Sequence, residues 1–103
     1  MKSSFVIAGP KNYTSTVTSG TFATHEFRQA VLQMSISSLS GSLDVTIRDG
    51  LGGTIATMTI TSTGDFRLFA EQLGPATVVV LNPSDGVNGV TFDQRVTLEC
   101  TRW

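Results

Sequence analysis

The sequence has very little of the residue types that would point to a metal-stabilised or disulfide-stabilised protein. Only one cysteine and one histidine occur among 103 residues. A single cysteine cannot form an internal disulfide, and one cysteine with one histidine cannot complete a Cys/His zinc site. We therefore expect no disulfide scaffold, no metal centre and no cofactor.

Charged residues are also scarce. They make up 15% of the chain, whereas about a quarter is usual in globular domains. Seven Lys and Arg oppose eight Asp and Glu, and the basic residues form no cluster. Proteins that bind nucleic acid neutralise phosphates with clustered basic side chains. The composition thus predicts that nucleic acid is not a partner.

Long hydrophobic runs are missing as well. The apolar run near the N-terminus extends only from Phe5 to Ala8, whereas a signal peptide needs roughly 7–15 apolar residues. No run approaches the ~18 residues of a membrane-spanning helix. We expect no membrane partner, and we interpret residues 1–12 as an N-terminal arm or first edge strand of a protein made in the cytoplasm.

What the chain does contain is typical of one small β domain. Its hydrophobic fraction is 40%, which suffices for a core. The sequence holds 15 Thr, 11 Ser and 10 Gly, and abundant Thr with few charges favours strands over a helical bundle. The prediction is an all-β fold with a single domain over residues 13–103.

Alternating apolar and polar residues locate the strands. Leu43, Val45 and Ile47 alternate with polar residues and are followed by the glycine-rich segment 49–53, so residues 43–61 predict a hairpin. Similar patterns predict strands at 31–37, 66–73, 76–81 and 90–100, and a possible hairpin at 13–27. In the run 90–100, the residues predicted to face inward are Val90, Phe92, Val96, Leu98 and Cys100, with the polar Gln94 as the odd member of this set.

About eight short strands at this spacing, with no significant helix, indicate an antiparallel β-sandwich of the jelly-roll kind or a small barrel. The segment 76–81 is apolar throughout, so it is either buried on both faces or packed in an interface. The inward position of Cys100 predicts an unreactive thiol.

Residues for catalysis do not form a recognisable set. The only possible general base for a nucleophile is His25, and its neighbour Glu26 would point to the opposite face of a strand. The carboxylates are scattered, and the loop 82–89 has too few carboxylates for calcium. We therefore predict that the protein is not an enzyme.

Candidate interaction residues come from the aromatics and the apolar arm. Six of the eight aromatics are Phe, which favours a core or an apolar interface over sugar-binding platforms. Tyr13 and Trp103 could serve as sugar platforms or as anchors at a protein contact. The predicted interaction residues are Phe5, Val6, Ile7, Tyr13 and Trp103.

Two family resemblances concern the layout of the chain. Residues 41–50 and 59–68 resemble the strand, Asp-Gly loop, strand and Gly-x-aromatic order of bacterial jelly-roll accessory domains, which are extracellular and often bind sugars. The whole chain is similar to the accessory β-sandwich proteins of tailed-bacteriophage particles. That resemblance implies decoration, or cement, proteins that form trimers on a capsid shell and carry no catalytic residues.

The resulting prediction is a non-enzymatic structural component of a virion, which decorates or cements a capsid or tail through protein–protein contacts. Its predicted partners are further copies of itself, most simply as a trimer joined through the arm, and a larger assembly such as a capsid shell. In a second interpretation the arm covers its own sandwich. The alternative functions are a carbohydrate-binding module and a protein-binding domain of another kind.

Overall fold

Strands account for all the regular structure in the computed structural model, which describes residues 2–101. No helix occurs in this range, and so none that could cross a membrane. The strands are β1 (Lys2–Ala8), β2 (Asn12–Tyr13), β3 (Val17–Thr18), β4 (Phe22–Ala23), β5 (Gln29–Leu39), β6 (Leu43–Asp49), β7 (Thr54–Ile60), β8 (Gly64–Ala70), β9 (Ala76–Pro83), β10 (Val90–Phe92) and β11 (Val96–Thr101).

The strands form two antiparallel sheets. In the first sheet the order is β1-β11-β5-β10-β2, with β8 also paired to β5. In the second it is β3-β9-β6-β7, with β4 also paired to β9. Strands β10 and β11 follow each other along one side of β5, and β3 and β4 follow each other along β9. Each of these pairs therefore acts as one interrupted strand.

The pairing has the pattern of one long hairpin rolled into two layers. The first strand pairs with the last (β1 with β11), β3/β4 with β9, β5 with β8, and the central β6 with β7. This nested order is that of a jelly roll. The predicted all-β, antiparallel, jelly-roll sandwich is confirmed, although residues 2–101 form eleven strands and not about eight. The predicted hairpin over residues 43–61 is its innermost hairpin.

The inner faces of the two sheets meet in a continuous apolar core. Alternation placed the inward residues correctly on β5, β6 and β11, where Leu32, Val45 and Leu98 are completely buried. The turn between β6 and β7 is closed by Asp49, whose Oδ1 accepts hydrogen bonds from the backbone N–H of Leu51 and Gly53 at 2.8 and 2.9 Å.

The predicted strand over residues 90–100 is interrupted. Between the pairs Phe92–Ile36 and Thr97–Gln33, β5 advances three residues while the opposite chain advances five. The two extra residues form a bulge, which explains why Gln94 does not fit the inward set. Because the number of extra residues is even, the side chains after the bulge return to the same face.

The suggested hairpin between residues 13–19 and 21–27 is wrong. Strands β3 and β4 do not pair with each other; both pair with β9, at Leu81 and Thr77 respectively. The backbone N–H and side chain of Ser19 both bond to Val79, so the chain between the two strands also stays on the edge of β9. Neighbouring short strands in sequence thus extend one edge instead of folding back.

Two further predictions concern burial. On β9 one face is buried and the other, with Val78 and Val80, is half-buried, so this apolar strand does not lie inside two layers. Cys100 is completely buried, and this burial raises the pKa of its thiol to about 11. The predicted inward position of Cys100 is confirmed, and its low reactivity stays a prediction.

Candidate functional site

The apolar residues of β1 divide between the core and the surface. The ring of Phe5 stacks on that of Phe22 with centroids 4.5 Å apart, which links the edges of the two sheets. Ile7 packs against the core, and Ala8 is buried. Val6 points the other way and is 54% exposed. Residues 2–8 are therefore an edge strand on their own sandwich, with Val6 as its exposed apolar side chain.

Of the two predicted aromatic anchors, Tyr13 lies within the described residues. Tyr13 is half-buried; its hydroxyl donates to the carbonyl of Gly9 at 3.1 Å and accepts from the Gly9 N–H at 2.9 Å. Its ring lies 5.8 Å from that of Phe92 and under the Lys11 ammonium. Tyr13 thus holds the turn after β1. Trp103 lies outside the described residues.

The histidine considered as a general base lies at the surface of the protein. His25 lies in a turn, with its Nε2 3.9 Å from Glu26 Oε1, and both side chains are more than half exposed. Within residues 2–101 no three His, Cys, Asp or Glu side chains lie close enough to share a metal ion.

Asp85 explains why the loop 82–89 folds as it does. Its carboxylate accepts hydrogen bonds from Ser40 Oγ at 2.6 Å and from the backbone N–H of Val87 and Asn88 at 2.8 and 3.1 Å. These bonds, that from Ser40 first, lower the pKa of Asp85 to about 2. The carboxylate ties this loop to the turn after β5.

A cleft on the outer face of the first sheet was not predicted from the sequence. It measures about 800 Å³ and lies over β5, β8 and the start of β11. The β10–β11 bulge raises Gln94 and Arg95 at one side of it, and the backbone N–H of Asp93 bonds to the carbonyl of Ser35 at 3.2 Å. Its lining residues are Gln33, Met34, Ser35, Asp65, Phe66, Arg67, Gln94, Arg95 and Thr97.

Strand register brings the polar side chains of this cleft together. Gln33 pairs with Thr97 on one side and with Arg67 on the other, and Ser35 pairs with Asp65. Side chains directly opposite each other on antiparallel strands have Cβ atoms about 5 Å apart. The cleft is therefore a compact array of amide, hydroxyl, guanidinium and carboxylate groups.

These polar groups are not used by the fold. Across residues 2–101 no hydrogen bond or ion pair joins the side-chain heads of Gln33, Arg67 and Arg95 to the rest of the chain, and the same holds for Ser35, Asp65, Gln94 and Thr97. One row further along β8, the ring of Phe69 is 65% exposed on the same face, opposite Val31. Phe69 also lines two smaller clefts of about 520 and 280 Å³.

Alternation alone could identify these residues only as outward-facing. The signal that could have marked the cleft was Gln94, the one polar residue at an inward position of an otherwise regular apolar series. A misfit of this kind is what a bulge produces.

Comparison with known proteins identifies a similar fold. No family model matches the chain, and no curated protein matches it in sequence. A search of solved structures finds the crystal structure of YomS, a protein derived from the SPBc2 prophage, with a TM-score of 0.64 and 19% sequence identity. The similarity covers 97% of this chain and 92% of that one, so the two share the fold over nearly their whole length.

Proposed function

We propose that this protein is a non-enzymatic structural component of a viral particle that decorates or cements a capsid or tail through protein–protein contacts. The observation that carries this proposal is the fold shared with a prophage-derived protein over 97% of the chain. Jelly rolls are also frequent among viral capsid domains.

The open edge of β1 supports self-association. One side of β1 pairs with β11, and on its other side no strand is paired among residues 2–101. Apart from Lys2 at its first position, β1 contains no charge and no proline, and charges and prolines are the features that protect edge strands from pairing with other chains. An added strand from a second copy would cover the backbone edge and the exposed side chain of Val6.

A contact in which the β1 edge of each copy meets a different surface of the next copy forms a closed ring when its rotation closes, and an open filament otherwise. We propose that the ring is a trimer. The assembled particle would then receive a preformed ring, with the remaining surface of each copy available for the capsid or tail.

Light scattering at high micromolar concentration tests self-association. The full chain should have three times the mass of the 11.0 kDa monomer, and Val6→Lys should reduce that mass because it places a charge at the strand edge. Val87→Lys is the matched control, since Val87 is 82% exposed in the loop between β9 and β10 and is not part of an edge strand. A full-length protein that stays monomeric overturns this part of the proposal.

Removal of residues 1–12 would be a poor test of self-association, because the stacked Phe5 and the buried Ala8 belong to the sandwich.

The assignment to a virus particle is tested by quantitative mass spectrometry of particles purified from the native source. We expect a fixed number of copies per particle, at positions that imaging can locate. A chain that is abundant in the lysate but absent from purified particles contradicts the proposal.

A further inference from the structure

We propose that the cleft on the outer face of the first sheet binds an acidic oligosaccharide, one that carries carboxylate groups on its sugar rings. This inference does not depend on the virion assignment. It rests on the unused polar groups of the cleft, on their balance of charge and on the exposed ring beside them.

The first step of the argument concerns hydrogen-bonding capacity. Two amides and two hydroxyls, from Gln33, Gln94, Ser35 and Thr97, line the cleft together with charged groups. Amides and hydroxyls both donate and accept hydrogen bonds. A ligand with many hydroxyls can use both functions at once, so the set matches a carbohydrate better than an apolar ligand.

The second step concerns charge. Two guanidinium groups, those of Arg67 and Arg95, face the cleft against a single carboxylate, that of Asp65. The chain as a whole carries a formal net charge of −1, so this local excess of positive charge is opposite to the overall balance. Arginine binds carboxylates in a bidentate manner, which favours a sugar acid over a neutral sugar.

The third step concerns the apolar face of a sugar. Phe69 follows Arg67 by two residues on β8, so both side chains lie on the outer face about 7 Å apart along the strand. The ring is 65% exposed, and an accessible aromatic face can pack against sugar C–H groups. The cleft would hold a sugar acid, and the ring would hold a neighbouring neutral unit, because Glu71 lines the two smaller clefts beside Phe69.

The side chains of the cleft can be substituted without destabilising the fold, because they lie on an outer face and beside a bulge. The polar heads make no contacts that hold the fold, so their truncation should alter binding without unfolding the protein. Arg48 is the matched control, because it is an exposed arginine on the outer face of the second sheet, on β6.

The experiment is binding of the fluorescently labelled full chain to an array that displays uronate-bearing, sialate-bearing and neutral glycans. We expect signal from acidic glycans, and weaker signal as salt increases. For the strongest acidic glycan, titration should show that Arg67→Ala and Arg95→Ala each lose about tenfold or more in affinity, whereas Arg48→Ala retains it. Circular dichroism should be unchanged in all three variants.

Three results would overturn the proposal. They are an array without signal from any acidic glycan, binding restricted to neutral glycans, and acidic-glycan binding that Arg67→Ala leaves intact. Light scattering of the same variants tests whether this face instead binds a second copy of the protein. If Arg67→Ala dissociates an oligomer and no glycan binds, the cleft is a protein interface and the inference is wrong.

Discussion

A pair of threonines on the outer face of the second sheet differs from the cleft residues on the outer face of the first in the use of polar groups. On the second sheet, Thr59 Oγ1 donates to Asp44 Oδ1 at 2.9 Å, and Thr57 Oγ1 donates to the carbonyl of Val45 at 3.1 Å. On the first sheet, the heads of Gln33 and Arg67 make no hydrogen bond within residues 2–101. These two threonines are satisfied within the protein, whereas the polar groups of the cleft remain available for hydrogen bonds.

Side-chain length and the bulge account for the difference between these threonines and the glutamines and arginines of the cleft. Threonine hydroxyls are short and reach neighbouring groups on the adjacent strand. The polar heads of glutamine and arginine extend beyond the sheet surface. The bulge residues 94–95 stand beside them as one side of the cleft, where a regular strand would have left the surface flat. Equal alternation along two strands can therefore produce one face with internally bonded hydroxyls and another face with unbonded polar heads.

The largest expected effects lie on the inner faces, where the two sheets should behave alike. Leu32 on β5 and Leu81 on β9 are both completely buried. Truncation of either one, as Leu32→Ala or Leu81→Ala, should cost about 2–5 kcal/mol of unfolding free energy. Urea denaturation measures this loss. A large cost in one sheet with almost none in the other would contradict a single shared core.

A smaller effect is expected from the buried hydroxyl pair. Thr24 Oγ1 donates to the carbonyl of Gly74 at 2.8 Å and lies 2.8 Å from Thr77 Oγ1, so Thr77 is the donor to Thr24. Thr24→Val leaves the Thr77 hydroxyl and the Gly74 carbonyl without these partners, which should cost about 1–3 kcal/mol.

Thr18→Val on β3 is the control for this change, since Thr18 is exposed. Its loss of unfolding free energy in the same denaturation experiment should be near zero. Equal stabilities of the two variants would show that the hydroxyl pair contributes nothing.

The outer faces themselves should differ by a few tenths of a kcal/mol. Thr59→Ala removes the bond to Asp44 and should destabilise the protein by about 0.5 kcal/mol. Gln33→Ala removes a side chain whose head has no partner in the described residues, so its unfolding free energy should be unchanged. If Gln33→Ala is the more destabilising of the two, the contrast between the faces fails.

The smallest effect concerns acid stability at the loop 82–89. The pKa of Asp85 lies at about 2 in the fold, below its ordinary value of 3.8. A lowered folded-state pKa stabilises the protein above the unfolded pKa, and this stabilisation is lost as the pH falls from about 4 to about 2. Asp85→Asn should flatten the melting temperature over that window.

Amide resonances of Val87 and Asn88, followed by NMR, provide a local measure of the same titration. In the unmodified protein they should shift with a midpoint near pH 2. A midpoint near 4 would show that the carboxylate does not hold the loop.

Much of the fold follows from the pattern of residues, and the failures have a common cause. The innermost hairpin was predictable because residues 43–61 pair locally, through a turn that Asp49 closes. The relation between β3 and β4 was not, because their partner is β9, some 60 residues further along the chain. Local pattern cannot choose between a nearby and a distant partner when the short strands themselves have little apolar surface.

By itself the sequence determined which side chains point inward, because the side-chain period of a strand is two and burial of apolar surface selects one face. This held even across the bulge, since two extra residues restore the same face. Only the tertiary structure decided what the outward residues do. It brought Gln33, Arg67 and Arg95 from three separate segments to one cleft, and strand pairing over long distances is set by the packing of the whole chain and not by any one segment.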